Sequence, residues 1–330
     1  GVIRSAQEDF RVWEVPIVSP SGEGNHLWLE IEKRGANTDW VAGRLAALAG
    51  APRRDVGFAG MKDRHGVTTQ WFSVGLQEAD NDDWPSWRIE GVTVLQAERH
   101  GRKLRRGTLA GNRFRIVVRE LDGDRAELQD RIDRLAGDGF PNYFGPQRFG
   151  HGGRNVERAR RWLLSGGRVK RAQRGLFLSA ARSLLFNRVL SARVGQDSWN
   201  RLLDGEQAIL DGRRPVFTCE LPDPELERRS AALEIHPTGP LPGRGTSGVE
   251  RAAAQCESAA LAGEEDLVEA LAAAGVESAR RSLRGVPREL SAAFDGDALE
   301  LDFTLAAGSF ATSLLRELVI TQDATASLGS

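Results

Sequence analysis

The sequence has few cysteines and no histidines spaced to hold a metal. Its 330 residues include two cysteines, Cys219 and Cys256, and five histidines. The cysteines are far apart and form no CxxC pair, and the histidines show none of the spacings typical of zinc ligands. We therefore expect neither a disulfide framework nor a metal site, and a reducing cytoplasm is the expected location.

Long apolar runs and nucleotide-binding loops are also missing. No stretch approaches the ~18 apolar residues of a membrane span, and no basic segment followed by an apolar one opens the chain. The GxxxxGK[ST] and GxSxG patterns do not occur, so a P-loop enzyme and a Ser-His-Asp hydrolase are not predicted. With 40% hydrophobic residues the chain can bury a sizeable core, and its length predicts two domains.

Charge is unevenly distributed, although the formal net charge is only -1. Residues 99–119 contain eight Lys or Arg and no acid, and residues 142–193 contain twelve and one acid, Glu157. Two basic blocks on an otherwise acidic chain indicate a localised surface for a polyanion. Solvated faces of ordinary helices or strands are the alternative. The preference for arginine over lysine can also reflect genomic base composition.

Hydrophobic periodicity predicts alternating strands and helices. The expected strands cover 56–59, 68–74, 91–97, 113–121 and 299–305. The expected helices cover 38–49, 125–136, 155–164, 179–194 and 309–319. Proline and glycine predict loops from 222 to 248, followed by an alanine-rich helical stretch from 248 to 283.

The strand predicted at 299–305 needs a sheet to join, and the middle of the chain offers few candidate strands. We therefore expect the C-terminus to return to the N-terminal sheet, with the middle as an insertion. In the strand at 113–121, apolar residues alternate with arginines, which predicts a cationic sheet face suited to RNA.

One carboxylate, Asp63, lies between cations in the segment "GFAGMKDRHGVTTQWFSV". Opposite charges within ~4–6 Å lower a carboxylate pKa by one to three units, so Lys62 and Arg64 would favour the charged form of a nucleophile or base. The same residues are also ordinary turn formers. The residues alone leave both interpretations open.

Five strings together resemble the TruD family of tRNA pseudouridine synthases. They are "FAGMKDRHGVTTQW", "GNRFRIVVRE", "NYFGPQRFG", "LSAARSLLFN" and "LAAGSFATSLLREL". The resemblance runs in order from about Arg4 to Leu318 and weakens between Arg213 and Arg284. It implies isomerisation of uridine to pseudouridine, principally at position 13 of tRNA-Glu, without cofactor or metal.

The resemblance also implies an α/β (α+β) fold. The pseudouridine synthase catalytic domain, with a mixed, mainly antiparallel sheet, would cover 1–140 and 285–330. A TruD-specific α/β domain would be inserted at 141–284. We expect tRNA to bind through the basic blocks 99–119 and 142–193, and we expect a monomer without a membrane or an obligate protein partner.

The site residues follow from the same resemblance. The family's catalytic aspartate falls on Asp63. Residues matching the uridine pocket or proposed to assist Asp63 are Phe10, Asn112, Phe114, Phe310, Arg4 and Lys62. Whether Arg4 or Lys62 pairs with Asp63 is open, as is whether Asp63 attacks C1′ or assists deprotonation there.

Two other functions remain compatible with the residues alone. A non-catalytic RNA-binding or RNA-chaperone module would need the basic blocks but not Asp63. A hydrolytic N-glycosidase would use Asp63 with water and release free uracil, whereas an isomerase preserves the mass of the nucleotide.

Overall fold

The structure is a computed structural model that describes residues 1–76 and 84–325. Its strands are β1 (Val2–Ile3), β2 (Phe10–Pro16), β3 (His26–Arg34), β4 (Val56–Phe58), β5 (Val67–Gly75), β6 (Val92–His100), β7 (Leu109–Arg119), β8 (Phe140–Pro141), β9 (Glu206–Leu210), β10 (Val216–Cys219), β11 (Ile235–Leu241), β12 (Ala279–Ser282), β13 (Arg284–Gly285), β14 (Arg288–Asp295), β15 (Ala298–Ala306) and β16 (Gln322–Asp323). Its α-helices are α1 (Thr38–Leu48), α2 (Arg125–Asp138), α3 (Arg154–Ser165), α4 (Arg171–Gly195), α5 (Pro224–Ala231), α6 (Arg251–Ala260), α7 (Glu265–Ala273) and α8 (Ala311–Leu318).

The chain divides into two compact units. The first contains the described residues of Gly1–Gln129, Pro287–Gly308 and Val319–Ser330, and the second contains Asp130–Val286 and Ser309–Leu318. The predicted domain limits at 140/141 and 284/285 stay a prediction. Residues 326–330 of the predicted catalytic domain lie outside the described residues.

The first unit is built on a mixed sheet in the order β14-β15-β7-β2-β5-β3-β6. Outside this order, β1 pairs with β7 and with β16, and β4 pairs with β5. Only the β2–β5 and β1–β16 pairs are parallel among the described pairs. The expectation of a mixed, mainly antiparallel sheet is therefore confirmed, and β15 does return to the N-terminal strands by pairing with β7.

Alternation along the strands places α1 on one face of this sheet. Leu29 and Ile31 of β3 pack with Val41 and Leu45 of α1, and all four are fully buried. The Asn37 side chain accepts a hydrogen bond from the backbone N–H of Asp39, which caps the helix.

The second unit contains a four-stranded antiparallel sheet in the order β10-β9-β11-β12. The expectation of few strands in the middle of the chain was wrong. The segment predicted as loops from 222 to 248 contains α5 and β11, because the proline-rich residues of β11 are buried between neighbouring strands. The alanine-rich stretch is split into α6, α7 and β12 rather than being helical throughout.

Helices α3 and α7 pack against the longest helix, α4, in the core of this unit. Within the residues that the structure describes, no helix is long and apolar enough to cross a membrane.

A buried arginine–histidine contact joins β13 to β11. The Arg284 Nε–H donates to His236 Nδ1 at 3.0 Å, and Arg284 Nη2 donates to the carbonyls of Ser230 and Ile235 at 2.7 and 2.8 Å. His236 Nε2 lies 3.1 Å from Asp211 Oδ1. Burial, followed by the nearby Arg284 charge, lowers the pKa of His236 to about 3.

We expect His236 to make the free energy of unfolding fall as the pH decreases below 6.5. The unfolded state then binds a proton that the folded state does not, so each pH unit costs up to about 1.4 kcal/mol. Urea denaturation at pH 7 and pH 5 should show this loss. In His236→Gln, Oε1 can accept from Arg284 and Nε2 can donate to Asp211 without titrating. If this variant keeps the full pH dependence, His236 is not responsible.

Candidate active site

Hydrogen bonds from α1 and β5 hold the turn that carries Asp63. The Thr38 hydroxyl donates to Gln70 Oε1 at 2.9 Å and accepts from the Lys62 N–H at 3.0 Å. Gln70 Nε2 donates to the Gly60 carbonyl at 3.1 Å. Thr38 and Gln70 are fully buried, so these bonds form where water does not compete. The turn is thus attached at its backbone at Gly60 and Lys62, just before Asp63.

Lys33, on β3, anchors the same turn from inside. Its Nζ donates to the carbonyls of Ala36 and Asp63 at 2.8 and 2.9 Å, and the residue is fully buried. Burial lowers the pKa of Lys33 to about 8, although the nearby Asp63 charge opposes the shift. The sequence analysis missed Lys33. Its alternation with Leu29 and Ile31 on the apolar face was the available signal.

Arg4 is the cation that contacts the Asp63 carboxylate. Arg4 Nη2 donates to Asp63 Oδ2 at 2.6 Å, and the His65 N–H donates to Asp63 Oδ1 at 3.0 Å. The Asp63 side chain is 17% exposed, whereas that of Arg4 is 6% exposed. Both carboxylate oxygens are therefore held in place, and the group still faces solvent.

The other end of the described chain completes the Arg4 environment. Arg4 Nη1 donates to Asp323 Oδ2, and the guanidinium lies 4.2 Å from the centre of the Phe10 ring. Burial alone would raise the pKa of Asp323, but hydrogen bonds from Thr325 and the Arg4 charge hold it below its ordinary value. Asp323 was not predicted from the sequence. It reaches Arg4 because β1 and β16 pair in parallel.

Lys62 points away from Asp63. Its Nζ forms an ion pair with Glu14 Oε2 at 2.8 Å, and both side chains are at least 95% buried, with exposures of 5% and 1%. Arg64 Nε donates to His65 Nε2 at 2.9 Å. The interpretation that adjacent cations in the sequence surround the carboxylate is therefore wrong in its geometry, because neighbouring side chains of the turn point in different directions.

The predicted aromatic residues Phe10 and Phe114 meet in the first unit. Their ring centres are 6.4 Å apart in an edge-on arrangement, and Phe114 stacks on Phe303 at 5.4 Å. Phe10 and Phe114 are 4% and 7% exposed. Gly66 is packed against β2, since a Cβ there would lie 2.3 Å from the Phe10 carbonyl. Close backbone packing thus sets the position of Phe10 beside the turn.

Asn112, half-buried on β7, is placed between Glu14 of β2 and Leu305 of β15 by strand register. Its Oδ1 is buried and accepts no hydrogen bond from the described residues. Such an orphaned acceptor is uncommon in folded proteins and often marks a functional position. Phe310 belongs to the second unit, where its ring centre lies 6.1 Å from that of Phe144. Its membership of the same pocket as Asp63 stays a prediction.

The first basic block consists of two different parts. On β7, Arg113 and Arg115 bind Asp302 at 2.8 and 3.0 Å, and Arg119 binds Asp9 at 2.7 Å. The alternation predicted for this strand is confirmed, but its cationic face is largely neutralised by carboxylates. The side chains of Arg113, Arg115 and Arg119 are still about half exposed, and the expectation that this face suits RNA stays a prediction.

The loop between β6 and β7, residues 101–108, carries four of the other five cations of this block, and the fifth, Arg99, lies on β6. The Leu104 N–H donates to Ser73 Oγ, and the Gly107 N–H donates to the Ala59 carbonyl, both at 2.8 Å. A cavity of about 710 Å³ beside the loop is lined by Val18, His26, Trp28, His100, Arg102, Lys103, Leu104, Arg105 and Thr108. No carboxylate in the described residues pairs with Arg102 or Arg105.

The second basic block covers α3 and α4 and is also partly neutralised. Arg160 and Arg188 both bind Glu264, and Arg193 binds Glu206 at 2.8 Å in the core. The exposed cations of the block are Arg154, Arg158, Arg161, Arg168, Lys170, Arg171, Arg174 and Arg188. Across the described ranges, no three His, Cys, Asp or Glu side chains are grouped to hold a metal ion.

Comparisons with known proteins agree with this geometry. The family model described as tRNA pseudouridine synthase D (TruD) matches residues 1–167 and 155–318. A protein of that name from Methylococcus capsulatus is 49% identical over 321 residues, which are 97% of this chain and 91% of the relative. One from Nitrosococcus oceani is 46% identical over 329 residues, 98% and 91% of the two chains.

A solved structure supports the fold. The putative tRNA pseudouridine synthase D from Methanosarcina mazei superposes with a TM-score of 0.70 at 22% identity, covering 96% of this chain and 93% of the other. The predicted fold class is confirmed by this likeness.

We expect Lys33→Met to loosen the Asp63 turn. Without its ammonium, the carbonyls of Ala36 and Asp63 lose their shared donor, and a loss of about 1.4 kcal/mol in local stability corresponds to tenfold faster amide exchange. Hydrogen–deuterium exchange of residues 59–66 measures this change. The neighbouring Arg34→Met, which removes surface ion pairs to Glu8 and Glu32, is the control. Equal exchange rates in Lys33→Met and the wild type would contradict the anchoring role.

Proposed function

Because the chain belongs to the TruD family of tRNA pseudouridine synthases, we propose that it isomerises the uridine at position 13 of tRNA-Glu with Asp63 as its catalytic carboxylate. The observation that carries this proposal is the Arg4–Asp63 contact of 2.6 Å on a turn whose backbone is anchored from three elements. A carboxylate held in this way, and still partly exposed, suits attack or proton transfer on a bound nucleotide.

The reaction needs no electron carrier. The N1–C1′ bond breaks, the base turns, and a C5–C1′ bond forms, while the proton on C5 is lost and N1 gains one. Asp63 either attacks C1′, forming a covalent sugar intermediate, or assists deprotonation of the sugar as the N1–C1′ bond breaks; both routes remain part of the proposal. Arg4 favours the anionic carboxylate and fixes its direction in either case.

We assign recognition of the flipped uracil to the aromatic residues and to Asn112. A base that leaves its stack needs an apolar surface and a partner for its polar edge. The unsatisfied Asn112 Oδ1 can accept from the uracil N3–H. Phe10, Phe114 and Phe310 supply apolar surface, and Phe10 also packs on the Arg4 guanidinium. In this proposal Lys62 acts indirectly, since its charge is used by Glu14.

The loop 101–108 is the proposed tRNA contact in the first unit. Its cations line a cavity, and its Gly107 N–H is bonded to Ala59, four residues before Asp63. Phosphates bound by Arg102 and Arg105 would therefore lie close to the catalytic turn. The exposed cations of α3 and α4 provide a second contact surface. We propose a cytoplasmic, monomeric enzyme without cofactor.

We expect Asp63→Asn to reduce pseudouridine formation by at least about 10²-fold, because the amide can neither attack C1′ nor accept a proton. Binding of tRNA should change little. Pseudouridine mapping of tRNA treated with each variant measures the reaction and its position. Asp39→Asn, at a surface ion pair with Arg53, should react like the wild type.

Three results would change the assignment. Retained turnover by Asp63→Asn would reject the catalytic carboxylate. Release of free uracil would identify an N-glycosidase, and tRNA binding without any product from the wild type would identify a non-catalytic RNA-binding module. Pseudouridine at another position would correct only the site in the tRNA.

We expect Arg102→Ala combined with Arg105→Ala to weaken tRNA binding and its dependence on salt. Losing two phosphate contacts should make the slope of log K against log salt shallower by between one and two units. Filter binding across a salt series measures both. Arg113→Ala with Arg115→Ala removes the same charge from a site already paired with Asp302 and should change the slope less. Equal effects in both double variants would show that the loop is not a specific contact.

A further inference from the structure

The guanidinium of Arg148, in the second unit, has fewer hydrogen-bond partners in the described residues than its burial requires. It lies in a 3-10 turn at Pro146–Phe149, and its half-buried guanidinium is close to the rings of Phe144 and Phe310, at 5.3 and 5.8 Å. Arg148 Nη1 donates to Ser179 Oγ at 3.0 Å. Within the described residues, this bond to Ser179 is the hydrogen bond of the Arg148 guanidinium, and no described carboxylate pairs with it. Burial lowers the pKa of Arg148 accordingly.

A second guanidinium contacts the same ring. Arg281 of β12 lies 4.1 Å from the centre of Phe144, and its Nη2 donates to the backbone and side-chain oxygens of Asn142 at 3.0 and 2.7 Å. Burial, followed by the nearby Arg148 charge, lowers the pKa of Arg281 to about 9. Two cations therefore repel each other around one aromatic residue.

Other buried arginines of this unit show how such charges are normally satisfied. Arg193 has a carboxylate partner in Glu206, and Arg280 binds Glu257 together with Ser247 and Thr238. Arg284 has no carboxylate in the described residues, but its donors reach a histidine nitrogen and two carbonyls. A guanidinium offers five N–H donors. Compared with Arg193, Arg280 and Arg284, Arg148 has the most donor capacity left for an incoming anion, because its guanidinium donates to one hydroxyl within the described residues.

The chemistry of the surroundings favours phosphate as that anion. A planar guanidinium binds phosphate oxygens through two parallel N–H donors, and a second cation nearby adds to the attraction for the same anion. Apolar rings on the flank lower the local dielectric and strengthen the contact. The segment 142–193 is also strongly cationic, which attracts a polyanion to this region rather than an isolated acidic side chain.

We propose that Arg148 binds one phosphodiester of the RNA backbone, with Arg281 contributing the second positive charge of the same site. The inference rests on the proposed function only in taking tRNA as the RNA. Phe310 borders the site, so the bound phosphate lies next to a residue assigned above to uridine recognition. Phe144 acts as the shared platform that holds both guanidiniums.

The test couples an arginine deletion to the removal of single phosphate charges. A tRNA set carrying one neutral methylphosphonate each is bound to the wild type and to Arg148→Ala, both in an Asp63→Asn background that prevents turnover. Arg148→Ala should bind unmodified tRNA about tenfold more weakly. Its slope of log K against log salt should be shallower by about one unit. One methylphosphonate should weaken binding to the wild type and leave binding to Arg148→Ala unchanged.

Two further variants separate phosphate binding from folding. Arg148→Gln keeps a donor for Ser179 but has no charge, so it should show the same loss if it melts at the wild-type temperature. Arg228→Ala, which removes an exposed cation paired with Glu225, should leave affinity and slope unchanged. The proposal is overturned if no methylphosphonate position couples to residue 148, or if Arg148→Gln binds like the wild type.

The outcome is independent of catalysis. Because binding is measured without turnover, a wild type that binds tRNA but makes no pseudouridine would reject the proposed function and leave the Arg148 result readable. A wild type that makes pseudouridine while Arg148→Ala shows no coupling would reject the phosphate site alone.

Discussion

The geometry of the candidate site depends on the ion pair between Arg4 and Asp63. Arg4 has a positive φ of 59°, a backbone conformation that costs free energy for a residue with a side chain. That cost is offset by contacts to two carboxylates and to the Phe10 ring. Strand β1 holds Arg4 in place by pairing with both β7 and β16. The direction of the Asp63 carboxylate is thus set by the pairing of β1 with β16, two strands far apart in the sequence.

Arginines in this chain serve two purposes that composition does not distinguish. Some are paired with carboxylates and contribute to the fold, including Arg113 of β7 with Asp302 of β15 and Arg193 of α4 with Glu206 of β9. Others, such as Arg102 and Arg148, have no described carboxylate partner, and these are the arginines that we propose to bind RNA. Electrostatic recognition of RNA needs the second kind, because a neutralised cation releases no counterions from phosphate. We therefore place the proposed RNA contacts of the two basic blocks in the loop 101–108, on the exposed faces of α3 and α4, and at the half-buried site around Arg148.

Much of the fold followed from local pattern. Period-two alternation located β7 and β15, and helical spacing of apolar residues located α1, because each of these elements buries one face and exposes the other. In the second unit the same reasoning located α3 and α4 but missed the strands. Proline-rich β11 is a buried strand, since its neighbours on both sides supply pairing that propensity does not register.

The residue types and the order of the motifs, with Asp63 in a turn between two strands, were determined by the sequence alone. Tertiary structure decided which groups meet that carboxylate. Lys62, its neighbour in the chain, turns to Glu14, whereas Arg4 and Lys33 reach the turn from other strands. Side chains adjacent in a turn diverge, and residues distant in sequence converge only when sheet register brings their strands together.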